Sequence, residues 1–338
     1  MSTFTPLNWV PIPWPHEENP YLAKLGEALV GAGCSTPGAK KPLTLLESGA
    51  AVLHLHWIWL NKDPLRNLLR KREIEGLLRT SHEHGAPVIW TMHNAAPHET
   101  SDLASKLWNF VVPRLDGIIT HTAASADVAE PMNKRARVRV IPHGPLAAAY
   151  GPAVERDAAR KLLGLPERPT FVCFGQVRPY RGVPDFMAAF RRVKVDASLI
   201  IAGSCTDATL RRQVEQLALE DGRVTAILER VPDELVPTLF SAADWIALPY
   251  RAATTSGVAN LAMGLKRPVI LPDIASLREG IPARVLATFR NTEPLESALS
   301  EALTRTAPVD ADFPLQPTWA EVALEHRRFF DELRRTFR

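Results

Sequence analysis

Short apolar runs recur along the chain, each bounded by glycine, proline or polar residues and set apart from the next by a longer stretch with helical spacing. They are 51–57 (AVLHLHW), 86–94 (APVIWTMHN), 116–122 (DGIITHT), 138–144 (VRVIPHG), 170–175 (TFVCFG), 197–203 (ASLIIAG), 224–228 (VTAIL), 244–250 (DWIALPY) and 267–273 (RPVILPD). Such runs predict strands covered on both faces, and the helical stretches between them predict the crossovers of parallel sheets. The expected class is α/β. A last stretch, 317–337, keeps apolar residues at roughly 3.6 spacing with no strand after it, which predicts a terminal amphipathic helix.

A chain of 338 residues is long for one core. The stretch 144–169, with GP, YGP and LPERP, separates four or five early strands from about five later ones, so the domain boundary is expected near residue 150. The expected architecture is two doubly wound parallel-sheet domains, 1–149 and 150–316, facing a cleft, with 317–338 packing across both. In such sheets ligands bind beyond the carboxyl ends of the strands. Polar residues just after strands therefore become the candidates.

Charge and cysteine content narrow the partners. Forty basic against 37 acidic residues leave a net charge of +3, too balanced for a general nucleic-acid binder. Cys34, Cys173 and Cys205 are odd in number and widely spaced, which predicts reduced thiols with no disulfide frame and no zinc site. The first 15 residues lack a basic region followed by an apolar one, and no window reaches 18 uninterrupted apolar residues. The expected location is the cytoplasm, either free or on the inner face of the plasma membrane.

Two loops carry anion chemistry. After TFVCFG, Arg178 and Arg181 precede the next helix, where cations and helix N-terminal amides suit a phosphate-bearing ligand. After DWIALPY, a small-residue loop leads to Ser256 and Gly257 at a helix start, offering a hydroxyl and free backbone N–H groups. One diphosphate held from both sides is the functional reading; solvated arginines and an ordinary N-cap serine are the alternative.

Together GQVRPYRG (175–182) and LPYRAATTSGVANLAMGLKRPVI (248–270) resemble the nucleotide-sugar half of a GT-B glycosyltransferase of the family 4 type. The resemblance implies that Arg178 and Arg181, the latter in place of a lysine, bind the donor diphosphate, and that Arg230 and Val231 border the nucleotide base. It departs from the pattern where family 4 has two glutamates eight apart, because Ala253 and Leu261 stand there. Glu279 is then either a substitute ribose partner or a solvated carboxylate. Adding NPY (19–21), VLHLHW (52–57) and HNAAPHE (93–99), the order of motifs is similar to the GumI-type mannosyltransferases of family 94. That resemblance implies mannose transfer from GDP-mannose to a lipid-linked oligosaccharide with a β product, in exopolysaccharide or glycan biosynthesis. Alternatives are a retaining family 4 enzyme using a UDP- or GDP-sugar and a nucleotide-sugar-binding module without catalysis.

In the first half, His54 and His56 share a strand face with no third metal ligand at suitable spacing, so a sheet-bound histidine is expected and no metal site. His93 ends a strand, and His98 and Glu99 follow in its loop. An inverting transfer needs a base, for which Glu99 is the candidate and His98 the second; His93 is expected to hold a sugar hydroxyl. His121 and His143 also follow strands and are read as structural or peripheral. The segment 64–79 places Leu65, Leu68, Leu69, Leu77 and Leu78 beside Arg70, Lys71 and Arg72. With His56 and Trp57 it is assigned to the acceptor and membrane side, able either to rest on an anionic bilayer or to cover a core. No cofactor is expected, since arginines and helix amides suffice to neutralise a leaving diphosphate.

Overall fold

The computed structural model describes residues 6–13, 20–36, 42–48, 50–57, 64–95, 102–290, 295–305 and 308–336. The chain divides by contact into two compact units, one of residues 1–144 with 317–338 and one of residues 145–316.

In the first unit six parallel strands lie in the order β2 (Cys34–Ser35), β1 (Leu7–Ile12), β3 (Ala51–Leu55), β4 (Val88–Thr91), β5 (Gly117–Thr120) and β6 (Arg137–Val140). β3, β4 and β5 are buried along their whole length, which is why they read as unbroken apolar runs. β6 is an edge; its outward Arg137 and Arg139 both bind Glu332, and such charge keeps an open edge from pairing further.

β1 was not among the expected strands, because Pro11 and Pro13 interrupt it. A proline has no N–H to give a ladder and is confined to places where none is needed. The N–H of Asn8 reaches Ala50 O, just ahead of β3, so by alternation Pro11 turns toward β2, and β2 already ends opposite Asn8. The missing donor therefore falls where no partner strand remains.

The two faces of this sheet are covered differently. Leu53, Leu55, Val88, Trp90 and Ile118 pack against Ile74, Leu77 and Leu78 of the helix Pro64–Glu83. The C-terminal helix Trp319–Thr336 belongs to this unit and packs along the helix Pro20–Gly31. It buries Phe329, Phe330 and Leu333, and a Cβ on Gly117 would stand 2.6 Å from Leu333 Cδ1, so β5 meets this helix through a bare backbone. Arg327, wholly buried, donates from Nη1 to Gly33 O at 2.8 Å and from Nε to Asp331 at 3.0 Å.

The second unit repeats the plan in the order β12 (Leu286–Phe289), β11 (Val269–Pro272), β10 (Trp245–Ala247), β7 (Thr170–Phe174), β8 (Ser198–Ala202) and β9 (Val224–Ile227), all parallel. Phe171, Cys173, Leu199 and Ile201 point to one face, where Phe186 and Phe190 of the helix Val183–Arg192 complete a core. The alternate residues Val172, Ile200 and Ile246 are buried on the other face, as period-two side chains must be. The three cysteines are buried free thiols.

The close approach of β7 and β8 at their carboxyl ends depends on one glycine. Gly203 has φ +150°, and a Cβ there would lie 2.3 Å from the carbonyl oxygen of Gly175. Gly203→Ala is expected to destabilise by at least ~1–3 kcal/mol, the ordinary cost of overpacking, because a backbone atom rather than a flexible side chain stands in the way. Gly222→Ala, where nothing lies within 4 Å, is expected to stay within about 0.5 kcal/mol of the parent. Urea midpoints of the two variants measure the difference, and equal midpoints would contradict it.

Candidate functional site

In order of appearance the second sheet reads 3-2-1-4-5-6, so the direction of winding reverses between β7 and β10. At that point crossovers leave to opposite sides and the two loops beyond the strands bracket an opening. Those loops are 175–182 and 248–256, the pair that carries Arg178, Arg181 and Ser256.

The loops are fastened to each other. Arg251 N donates to Tyr180 O at 2.8 Å, and Gly182, at φ +63°, lies so close to Pro249 that a Cβ would meet its carbonyl oxygen at 2.1 Å. After Gly175 the chain makes a single turn, Pro179–Arg181, whose end folds Arg181 back toward the strand. Arg181 Nη1 donates to Phe174 O at 3.1 Å, the guanidinium lies 5.4 Å from the Tyr250 ring centre, and the buried Nε has no partner among the described residues. Arg178 is half-buried at the start of the same turn.

On the other loop Ser256 caps the helix Gly257–Gly264, its Oγ accepting from Ala259 N at 3.1 Å and lying 3.1 Å from the Tyr250 hydroxyl. With the hydroxyl engaged by Ala259 and Tyr250, the first helix amides remain for an anion. Tyr250 thus touches both halves, the arginine on one side and the serine on the other. Leu261, at one of the two family 4 glutamate positions, is buried in this helix, and Ala253 occupies the other.

The remaining donor-side candidates lie on other loops. Arg230, exposed and paired with Asp233 at 3.1 Å, and half-buried Val231 follow the edge strand β9. Glu279 is exposed after the short helix Ala275–Arg278, beyond β11.

The first sheet reads 2-1-3-4-5-6 and reverses between β1 and β3. At its carboxyl edge aromatic and imidazole rings collect around Tyr21, which sits in the first turn of the helix Pro20–Gly31. Ring centres lie 4.7 Å away for His143, 5.1 Å for His93, 5.7 Å for Trp319, 5.8 Å for His121 and 5.9 Å for His56. Trp57 stacks on His93 at 4.3 Å and 12°. His56 Nδ1 is 3.3 Å from His93 Nε2. His54, deeper on the same strand, is satisfied by Trp9 Nε1 at 3.0 Å and Thr91 Oγ1 at 2.8 Å.

Burial holds all these rings neutral. It pushes His121 down to about 4, and His143, with His121 adding repulsion, to about 3. His56 and His93 are lowered by burial first and by neighbouring imidazoles second, while burial raises the Tyr21 phenol. No group of three or more His, Cys, Asp or Glu among the described residues is placed to hold a metal ion. The sequence reading has His121 and His143 as structural or peripheral and Tyr21 only as part of the NPY motif, whereas the structure gathers all three with His93. Glu99 and His98 lie outside the described residues.

On the helix Pro64–Glu83 the leucines divide. Leu77 and Leu78 enter the core, whereas Leu68 and Leu69 face out, so they do not form one stripe. Arg70 is paired with Glu73 at 2.8 Å and Lys71 with Glu75, while Arg72 is exposed beside the outward leucines. Among the described residues no helix is long and apolar enough to cross a membrane.

Residues 168–305, which include both anion-bearing loops, match the glycosyl transferases group 1 family. Over 258 residues the chain is 31% identical to the GDP-mannose:glycolipid 4-beta-D-mannosyltransferase of Xanthomonas campestris pv. campestris, a stretch that covers 75% of this chain and 70% of that one. The fold is similar to sucrose-phosphate synthase from Thermosynechococcus elongatus, with a TM-score of 0.71 at 17% identity over 98% of this chain and 99% of that one. It is also similar to Anabaena Alr3699/HepE in complex with UDP-glucose, with a TM-score of 0.61 at 14% identity over 98% of each chain. The strand orders and the neighbours agree on a GT-B fold, and the sequence relation supplies the rest: the chain belongs to the GT-B glycosyltransferases, as a hexosyltransferase in the family of the Xanthomonas mannosyltransferase.

Proposed function

We propose that the chain transfers mannose from GDP-mannose to a lipid-linked glycan with inversion, giving a β-linked product. The observation that carries this reading is the pair of fastened loops at the reversal of the second sheet, with Arg178 and Arg181 on one and Ser256 with the Gly257 amide on the other. Mannose, GDP and a glycolipid acceptor are drawn from the relation to the Xanthomonas enzyme, whose name states them.

The chemistry asks for stabilisation of the charge that grows on the departing nucleoside diphosphate. Two guanidiniums and the amides of a helix start, fixed before the reaction, supply it without reorganisation. Arg181 is held by Phe174 O and Tyr250, so its orientation does not wait for the donor. Arg230, Val231 and Glu279 are assigned to the surroundings of the base and ribose. That Leu261 is buried and Ala253 has no carboxylate removes the usual family 4 pair from this helix, which supports a departure from the retaining pattern. Inversion requires a group to take the acceptor proton, and Glu99 is assigned that role, with His98 second and His93 holding a sugar hydroxyl. The outward Leu68 and Leu69 with Arg72 are assigned to contact with an anionic bilayer surface, which would bring the site to a lipid-borne acceptor.

Arg178→Ala and Arg181→Ala are each expected to weaken GDP binding by about 10- to 100-fold, the value of a charge-assisted hydrogen bond, while guanosine binding changes little. Calorimetry with the two ligands decides it, and equal losses for both would remove the arginines from the phosphate.

Glu99→Gln keeps shape but cannot take a proton. Turnover is expected to fall by roughly 10²–10⁴-fold with donor affinity retained. An α-linked product, read from the anomeric coupling in NMR, would show retention and leave Glu99 without this role.

Replacing Leu68 and Leu69 by Ser together with Arg72→Gln is expected to reduce sedimentation with phosphatidylglycerol-rich vesicles, since each basic residue near such a surface contributes about 1 kcal/mol. Unchanged sedimentation would return this helix to a purely structural role.

A further inference from the structure

The ring cluster of the first unit contains polar atoms that no described residue satisfies. The Tyr21 hydroxyl, His56 Nε2 and His121 Nε2 are all buried with no hydrogen-bond partner among the described residues. Tyr21 is 4% exposed, His56 0% and His121 8%, each in ring contact with half-exposed Trp57 or His143. Buried polar groups are almost always paired, and leaving one unpaired costs roughly 1–3 kcal/mol. Three within one ring cluster, at the carboxyl edge of a doubly wound sheet, call for a ligand rather than for chance.

The partners that are present fix what that ligand must bring. His121 Nδ1 lies 2.9 Å from Ile141 O, and a carbonyl can only accept, so Nδ1 carries the proton and Nε2 presents a lone pair. The same reasoning applies to His143, whose Nδ1 donates to Gly144 O at 2.7 Å and whose Nε2 is therefore an acceptor. The Tyr21 hydroxyl can donate and accept. The cluster thus offers ring-nitrogen acceptors beside a phenol, all uncharged, and the matching group is one that both donates and accepts a hydrogen bond. An alcohol does so; an ionised carboxylate only accepts and would face the lone pairs of His121 and His143. Half-exposed Trp57, Trp319 and His143 form the outer side of the cluster and present ring faces to the C–H surface of a sugar.

We infer that this cluster is a subsite for the hydroxyl groups of a pyranose ring, with the Tyr21 hydroxyl, His56 Nε2 and His121 Nε2 as its hydrogen-bonding groups, and that it selects hydroxyls against anionic substituents at this position. The inference builds on the proposed transfer to a glycan and names which residues read the acceptor sugar. It assigns Tyr21 and His121 to recognition, and neither to proton transfer.

Tyr21→Phe separates this role from a structural one, because the hydroxyl has no partner among the described residues to lose. Methyl α-D-mannopyranoside, methyl β-D-glucopyranoside and sodium acetate are titrated separately at constant neutral pH into ¹⁵N-histidine-labelled full-length protein, and the His121 ring-nitrogen resonances are followed. The expected result is a saturable shift of His121 Nε2 with at least one glycoside, none with acetate, and a three- to tenfold higher dissociation constant in Tyr21→Phe without a lower melting temperature. His121→Phe, which keeps the ring but removes both nitrogens, is expected to weaken the same glycoside by at least as much. No response to either glycoside up to 100 mM, or a Tyr21→Phe protein that melts lower and binds unchanged, would overturn the inference. GDP and GDP-mannose are tested on the same samples: donor turnover without glycoside response sinks the subsite alone, whereas glycoside response without donor binding or turnover sinks the proposed transfer.

Discussion

Parallel pairing is the constraint from which the rest follows. When every strand of a sheet runs the same way, every strand ends on the same edge, and the residue after each apolar run arrives beside the residue after its neighbour. This alone brings Arg181 and Ser256, 75 residues apart in the chain by their numbers, onto adjacent loops of the second sheet. It also brings His56, His93, His121 and His143 to one edge of the first, each within three residues of the end of a successive strand. Where winding reverses, the loops part enough to admit a ligand; elsewhere they close on one another.

The two edges solve opposite electrostatic problems. At the second sheet the groups are cations and helix amides, with the Tyr250 ring as the common wall, and Arg181 keeps its charge although its Nε is buried. At the first the titratable rings are neutral, because the desolvation of several imidazoles side by side leaves no room for a proton. Cations gather at the carboxyl edge of the second sheet, and uncharged rings at that of the first.

The α/β class was legible because buried parallel strands leave a period that needs no partner to be seen. Strands beyond the expected runs were not: β1 carries Pro11 at the place where a donor is dispensable, β2 has two residues, and β12 is a short, half-buried edge. The anion-bearing loops were visible as residue types following runs, whereas their fastening through Gly182, Pro249 and Tyr250 is a matter of ångströms that spacing does not encode. The imidazole cluster is the instructive case. His121 and His143 viewed singly read as structural, although His93 is expected to hold a sugar hydroxyl and His56 to face the acceptor; only the recurrence of one residue type after four successive runs announces that they meet. Tyr21 carries no such signal, since it reaches the cluster from a helix start.

The chain order of the two units has a consequence for synthesis. Residues 145–316 form one continuous unit, complete as soon as they leave the ribosome, but the unit begun by residue 6 needs the helix Trp319–Thr336 to cover β5 and to bring Arg327 to Gly33. The first-made sheet must therefore wait, with the bare backbone of Gly117 and its apolar neighbours exposed, while some 170 later residues are made and folded. A chain cut short before residue 319 would hold every residue of the second unit and lack the cover of the first.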